Sequence, residues 1–95
     1  MKIPFKIAIN RIVDKYFGVS VDKESPARVA VSCDEISAFL LLQLTADLTE
    51  AQMLEKAIAQ FPDTSQDILN EKVLKVREVV RNLDPDNTEL EIIEI

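Results

Sequence analysis

The stretch RVAVSCDEISAFLLLQL, residues 28–44, predicts a strand that runs directly into a helix. Val29 and Val31 alternate with Arg28 and Ala30, which is typical of a short strand with two different faces. Ser32 or Asp34 can then cap a helix from about residue 35 to residue 44. The centre of this helix is apolar nearly all round, so we expect it to be buried on more than one side.

Two further strands are predicted before this junction. In KIPFKIAINRIV, residues 2–13, apolar residues recur at every second position, and the pattern slips near Arg11, where we expect a bulge or bend. A second strand is predicted over residues 16–21, and the segment DKESP at residues 22–26 predicts a turn. Such short spacings favour an antiparallel meander of three strands.

Two more helices are predicted after the first helix, in the segment that follows residue 44. Thr49 and Gln52 form a capping box, which predicts a helix over about residues 50–60. A third helix is expected to begin at a cap among residues 63–65 and to end at about Leu83. The predicted fold class is therefore α+β, with three antiparallel strands followed by three helices.

The length of 95 residues predicts one domain, which we place at residues 1–86, followed by an acidic tail at residues 87–95. The tail, NTELEIIEI, contains strand-forming residues, so it can add a strand to the sheet of its own chain or of a neighbouring copy. If it filled a binding cleft of its own chain, it would be autoinhibitory. The alternative is a mobile terminus that aids solubility.

The composition excludes most catalytic sites. Histidine is absent and Gly18 is the only glycine, which rules out imidazole-activated nucleophiles, imidazole zinc sites and glycine-rich phosphate loops. The sequence contains no cluster of metal ligands, and Cys33 has no second cysteine to pair with. We therefore predict no catalytic residue, no metal site and no cofactor, and the protein is predicted not to be an enzyme.

Charge is distributed unevenly along the chain. The net charge is −6, with +3 over residues 1–33 and −9 over residues 34–95. A DNA-binding domain usually carries a basic surplus, so this balance argues against nucleic acid as a partner. No apolar run approaches the roughly 20 residues that span a bilayer, and no signal-peptide pattern is present. We expect a cytoplasmic protein with no membrane partner.

The third predicted helix has an apolar arc of roughly 140°, wider than one packing seam needs. Lys72 falls inside this arc, and Arg77 and Arg81 flank it. One interpretation is that part of the helix packs on the core while the rest lines an apolar groove with a basic rim. The other is a broad core stripe from which Lys72 extends to solvent.

These elements resemble the PqqD-like family, named after the pyrroloquinoline quinone (PQQ) synthesis protein D and related to the recognition elements of ribosomally made peptide (RiPP) pathways. RVAVSCDEISAFLLLQL is similar to that family's strand and Leu-Asn-x-Thr-like helix start, LTEAQMLEKAIAQF to its Thr-x-x-Glu/Gln box, and DILNEKVLKVREVVRNL to its valine-rich final helix. The resemblance covers about residues 7–83. Cys33-Asp34 and Ile36-Ser37 replace the family's Leu-Asn and Thr-Gly or Thr-Ala pairs, and Leu41 replaces a bulky aromatic. The chain is therefore identified as a divergent member.

The resemblance implies a winged-helix-like domain that acts as a non-catalytic peptide chaperone. Such a domain captures the leader of a precursor peptide as an added strand, between the third strand and the third helix, and presents it to a modifying enzyme such as a radical SAM protein. This requires unpaired backbone groups along residues 27–32. The implied peptide-binding residues are Arg28, Val29, Ala30, Val31 and Ser32 on the strand, and Lys72, Val73, Val76, Arg77, Val80 and Arg81 on the helix.

Other interpretations stay open. The second and third helices could form the helix-turn-helix of a DNA-binding regulator, although Asp67 and Glu71 make the first turn of its recognition helix acidic. The chain could also be a structural subunit without a peptide ligand, and both a monomer and a strand-paired homodimer fit. At single positions, the strand valines could be plain core, the arginines solvated surface, and Cys33 a small buried apolar side chain.

Overall fold

The computed structural model describes residues 1–3, 6–21, 29–83 and 90–95. The elements, in chain order, are β1 (Lys6–Ile12), β2 (Lys15–Val21), β3 (Val29–Cys33), α1 (Glu35–Gln43), α2 (Glu50–Gln60), α3 (Gln66–Asn82) and β4 (Glu91–Glu94). The four strands form one sheet in the order β1-β2-β3-β4, in which β1, β2 and β3 are antiparallel and β4 runs parallel to β3. The predicted α+β class, the order of three strands and three helices, and the added C-terminal strand are confirmed.

The hairpin of β1 and β2 differs from the sequence-based expectation at its turn. Of the bulge or bend expected near Arg11, the bulge is wrong, because pairing continues without a break to Ile12 opposite Lys15, and the chain bends only after the strand has ended. The apolar pattern slips because Val13 and Asp14 form a two-residue turn, in which Val13 has a φ of 60°. The turn predicted at residues 22–26 lies outside the described residues.

The two faces of the sheet have different surroundings. The inner face, which includes Ile9, Gly18 and Val31, packs against the helices, whereas the outer face is largely exposed. Gly18 allows β1, β2 and β3 to pack closely, because a Cβ atom there would lie 2.9 Å from side-chain carbons of both Ile9 and Val31. The only glycine of the sequence is thus required by close packing rather than by a turn.

Each helix begins at a side-chain cap. Asp34 caps α1 by accepting a hydrogen bond from the backbone N–H of Ser37, and Ser65 caps α3 in the same way. Thr49 and Gln52 form the predicted capping box at the start of α2. These caps satisfy N–H groups that would otherwise lack partners in the first turn.

The core lies between the inner face of the sheet and the three helices. Its largest fully buried side chains are Leu40, Leu44, Met53, Leu69, Val73 and Val76. Because β4 is parallel to β3, the chain must cross from one end of the sheet to the other between them, and the segment that includes the three helices provides this crossover. None of the described helices is long and apolar enough to cross a bilayer.

Candidate functional site

The backbone of β3 is paired on both of its edges. β2 occupies one edge, and β4 occupies the other, with Ala30 opposite Ile92 and Val31 opposite Ile93. The pairing extends past β4, since the backbone N–H of Ile95 donates to the carbonyl oxygen of Ser32 at 2.9 Å. The expectation of a vacant edge is therefore wrong for residues 29–32. Residues 27 and 28, which include the predicted site residue Arg28, lie outside the described residues.

The physical reason for this occupation lies in the side chains of the tail. An open strand edge beside an apolar core is a template for any segment that can form a strand. The tail provides such a segment, because Ile93 and Ile95 both pack against the core cluster. The preceding residue, Ile92, points to the outer face and is 76% exposed. The alternation of Ile93, Glu94 and Ile95 therefore matches the two faces of the sheet, whereas Ile92 is an apolar side chain on the exposed face.

The backbone N–H and C=O groups of successive β3 residues point alternately toward β4 and toward β2. Ser32 uses its carbonyl to bind the tail, so Ala30 and Ser32 turn their backbone groups toward β4. Val29, Val31 and Cys33 turn theirs toward β2, in agreement with the hydrogen bond from the Val29 N–H to the Ser20 hydroxyl at 3.1 Å. The strand-accepting edge of β3 thus consists of the backbone of Ala30 and Ser32.

The peptide-binding residues predicted on α3 lie partly in the core and partly at the surface. Val73 and Val76 are buried among the core residues, and Val80 is half-buried at the edge of the same cluster. Val29 and Val31 are also buried. Val29, Val31, Val73 and Val76 are therefore core side chains while β4 is in place, whereas Val80 lines a cavity between α3 and the N-terminal residues.

Lys72 forms an ion pair with Asp34, the N-cap residue of α1. This contact explains why a lysine falls within the apolar arc of α3, since its ammonium group reaches the carboxylate at the strand-to-helix junction. Burial alone would raise the pKa of Asp34, but the hydrogen bonds from Lys72 and from the Ser37 backbone outweigh it and hold the pKa below its ordinary value. Lys72 therefore ties α3 to the junction between β3 and α1.

The two arginines that the predicted site includes on α3 have acidic partners on the helices. Arg77 donates to Glu50 at the start of α2, with 2.7 Å between nitrogen and oxygen, and lies 3.3 Å from Glu78. Arg81 is mostly exposed and lies 3.9 Å from the same Glu78. A peptide carboxylate could bind Arg77 or Lys72 only by competing with these partners.

The predicted site residues contribute to two cavities. One, of about 420 Å³, lies between the N-terminal residues and α3 and includes Lys2, Arg77 and Arg81 in its lining. Another, of about 300 Å³, lies at the end of β4 and is lined in part by Ser32, Cys33 and Ile95.

Burial raises the pKa of the Cys33 thiol to about 11, with a smaller contribution from the charge of Asp34. This thiol is therefore poorly suited to act as a nucleophile.

The sequence predicted β3 as a strand and left the tail open between an added strand, in its own sheet or that of a neighbouring copy, and a mobile terminus; it did not predict the parallel pairing of the tail with β3. The residues that complete the site, Ile93 and Ile95, carry a detectable signal, because they are strand-forming residues two positions apart. Comparisons of the chain with protein-family models, with curated proteins and with solved structures found no match.

Proposed function

We propose that this protein is a non-catalytic peptide-binding domain that captures an extended segment of another peptide by β-strand addition to β3, in exchange with its own β4. The bound peptide would be the leader of a precursor, and the domain would present it to a modifying enzyme, such as a radical SAM protein, in the cytoplasm. The observation that carries this proposal is the pairing of β3 with β4. It supports strand addition because a segment from the far end of the chain already occupies this edge.

The character of the β4 contact supports exchange. β4 has only four residues, and the inward-facing Ile93 and Ile95 are half-buried, unlike the fully buried side chains of the central core. Stability is not uniform in a protein, and short terminal elements with few buried contacts open at lower free energy than the core. β2, by contrast, pairs with both β1 and β3 and is held on two sides.

The backbone of Ala30 and Ser32 would bind the incoming segment without regard to its sequence, since every non-proline residue offers the same N–H and C=O groups. Selectivity would come from the alternate side chains that face the core, where Ile93 and Ile95 now lie. Lys72 and Arg77 would contribute less than the sequence suggests, because each is already ion-paired.

The same ion pairs are the reason for not proposing a DNA-binding function. Phosphate binding requires cationic side chains that can face the duplex, and two of the four basic residues of α3, Lys72 and Arg77, pair with acidic residues of the same chain. The first turn of α3 also contains Asp67.

An NMR titration of the full chain tests the proposal. The probe is the synthetic leader of a precursor peptide encoded next to this protein's gene. We expect saturable shifts at the amides of Ala30 and Ser32, accompanied by shifts throughout β4, while the amides of β1 change little. The absence of saturation at millimolar peptide would contradict the proposal for that leader. A parallel titration with duplex DNA at low salt tests the alternative, which requires binding that weakens steeply as salt is added.

A further inference from the structure

The C-terminal strand shows which kind of segment fits the β3 edge. It runs parallel to β3, with Val29 opposite Glu91 and Ser32 opposite Glu94. Two isoleucines at alternate positions, Ile93 and Ile95, pack on the core cluster. The intervening Glu94 is exposed, as is Ile92. Apolar side chains are therefore needed at two positions that are two residues apart, while Glu91, opposite the buried Val29, is half-buried on the same face.

We infer that β4 is a tethered mimic of the external ligand, and that the peptide that displaces it is an extended segment with branched apolar side chains at two alternate positions, running parallel to β3. This inference rests on the proposed function, because it names the ligand class and the regulation of the same edge. β-branched side chains are favoured here because they pack well on a pleated, half-buried surface.

A tethered mimic acts as a competitor. A segment held near its site by a short connection has an effective concentration there on the order of millimolar. The affinity for an external peptide is reduced in proportion to the fraction of molecules in which the edge is open. The full chain therefore binds a short matching peptide weakly, and any change that releases β4 increases its affinity without altering the edge itself.

Two substitutions in the full chain distinguish an effect of releasing β4 from an effect of adding a negative charge to that strand. Ile93→Asp places a carboxylate against the core cluster, whereas Ile92→Asp places the same group on the exposed face of the same strand. The first readout is amide hydrogen exchange without ligand. In Ile93→Asp, the amide of Ser32, which faces β4, is expected to exchange about tenfold faster or more than in the unsubstituted chain. The amide of Val31, which faces β2, retains its protection. In Ile92→Asp, the exchange rates of both amides are expected to equal those of the unsubstituted chain.

The second readout is binding of a fluorescent peptide, LEIIEI, which has the sequence of residues 90–95. Its affinity for Ile93→Asp is expected to be about tenfold or more above that for the unsubstituted chain, while Ile92→Asp resembles the unsubstituted chain. The control peptide LEIDED, with both inward-facing isoleucines replaced, does not bind.

The outcomes distinguish the inference from the function it rests on. Equal affinity of LEIIEI for the unsubstituted chain and for Ile93→Asp, with the Ser32 amide open in the variant, refutes competition by β4 and leaves peptide binding intact. If LEIIEI does not bind although the Ser32 amide is open, β4 is not a mimic of the ligand and the inference is wrong, while the leader titration decides the proposed function separately. Ile95→Asp serves as a second variant in case Ile93→Asp unfolds. If the Ser32 and Val31 amides open only together in both variants, β4 is an integral part of the fold and the inference is wrong.

Discussion

Lys72, in the first half of α3, forms an ion pair with Asp34, the residue that caps α1. Asp34 therefore has two roles, since one carboxylate oxygen accepts from the Ser37 backbone N–H at 2.8 Å while the other binds the lysine. The pair joins the strand-to-helix junction to a helix that begins 32 positions further along the chain. It also explains how a charged residue is accommodated in a largely apolar helix face.

The two roles of Asp34 can be separated by substitution. Asp34→Ala removes both the cap and the ion pair, and we expect it to lower the free energy of unfolding by about 1–2 kcal/mol. Asp34→Asn retains a capping oxygen and should cost less than half of that, since a partly exposed ion pair contributes only about 0.2–1 kcal/mol. Urea denaturation followed by circular dichroism measures both. Equal losses for the two variants would contradict a capping role.

The contribution of Asp34 should depend on pH with a defined sign. Its pKa in the folded protein lies below the ordinary value of 3.8, so the charged form is stabilised by folding. The stabilisation is present above pH 3.8 and is lost as the pH falls through the lower, folded pKa. We therefore expect the stability difference between the unsubstituted chain and Asp34→Asn to be constant near neutral pH and to shrink below pH 3.8. A difference that grows on acidification would contradict this assignment.

Gly18→Ala should destabilise the protein. The new methyl group would lie 2.9 Å from carbons of Ile9 and Val31, so the strands must shift or the side chains must change rotamer. We expect a loss of about 1–2 kcal/mol, because overpacking outweighs the smaller conformational entropy of alanine in the unfolded chain. In a double-mutant cycle, Val31→Ala removes one of the two clashing atoms, so the combined loss should be smaller than the sum of the single losses. Strict additivity would contradict this mechanism.

Val13→Gly should stabilise the hairpin of β1 and β2. Val13 has a φ of 60°, a conformation that costs a β-branched residue about 1–2 kcal/mol, and its side chain is 83% exposed, so little packing is lost. Allowing for the entropy of glycine in the unfolded chain, we expect a gain of about 0.5–1 kcal/mol in thermal or urea unfolding. Val13→Ala, which retains a Cβ atom, is the matched control and should gain less.

Cys33 should react slowly with thiol reagents in the folded protein. With a pKa of about 11, only about one thiol in a thousand is ionised at pH 8, and the side chain is buried. We expect labelling by Ellman's reagent to be at least about tenfold slower than in urea, and its rate to rise about tenfold per pH unit up to the pKa. Immediate, complete labelling of the folded chain at pH 8 would show that the thiol is neither buried nor protonated.

Features that depend on near neighbours were predictable from the sequence. The capping box of Thr49 and Gln52 involves residues three positions apart, and the alternation in β3 and β4 reflects the two faces of any strand. The composition alone excludes imidazole and glycine-rich chemistry, because histidine is absent and glycine occurs once. The expected bulge near Arg11 was wrong because the pattern does not distinguish an extra residue within a strand from a tight turn at its end.

The amino-acid sequence by itself determined the type and order of the elements, since caps, alternation and helical periodicity involve residues close together in the chain. Only the tertiary structure decided that β4 pairs with β3, that it runs parallel, and that Lys72 reaches Asp34. These choices depend on contacts between residues dozens of positions apart, where any strand-forming segment satisfies the backbone equally well. Which segment takes the β3 edge is decided by how its inward side chains pack against the assembled core.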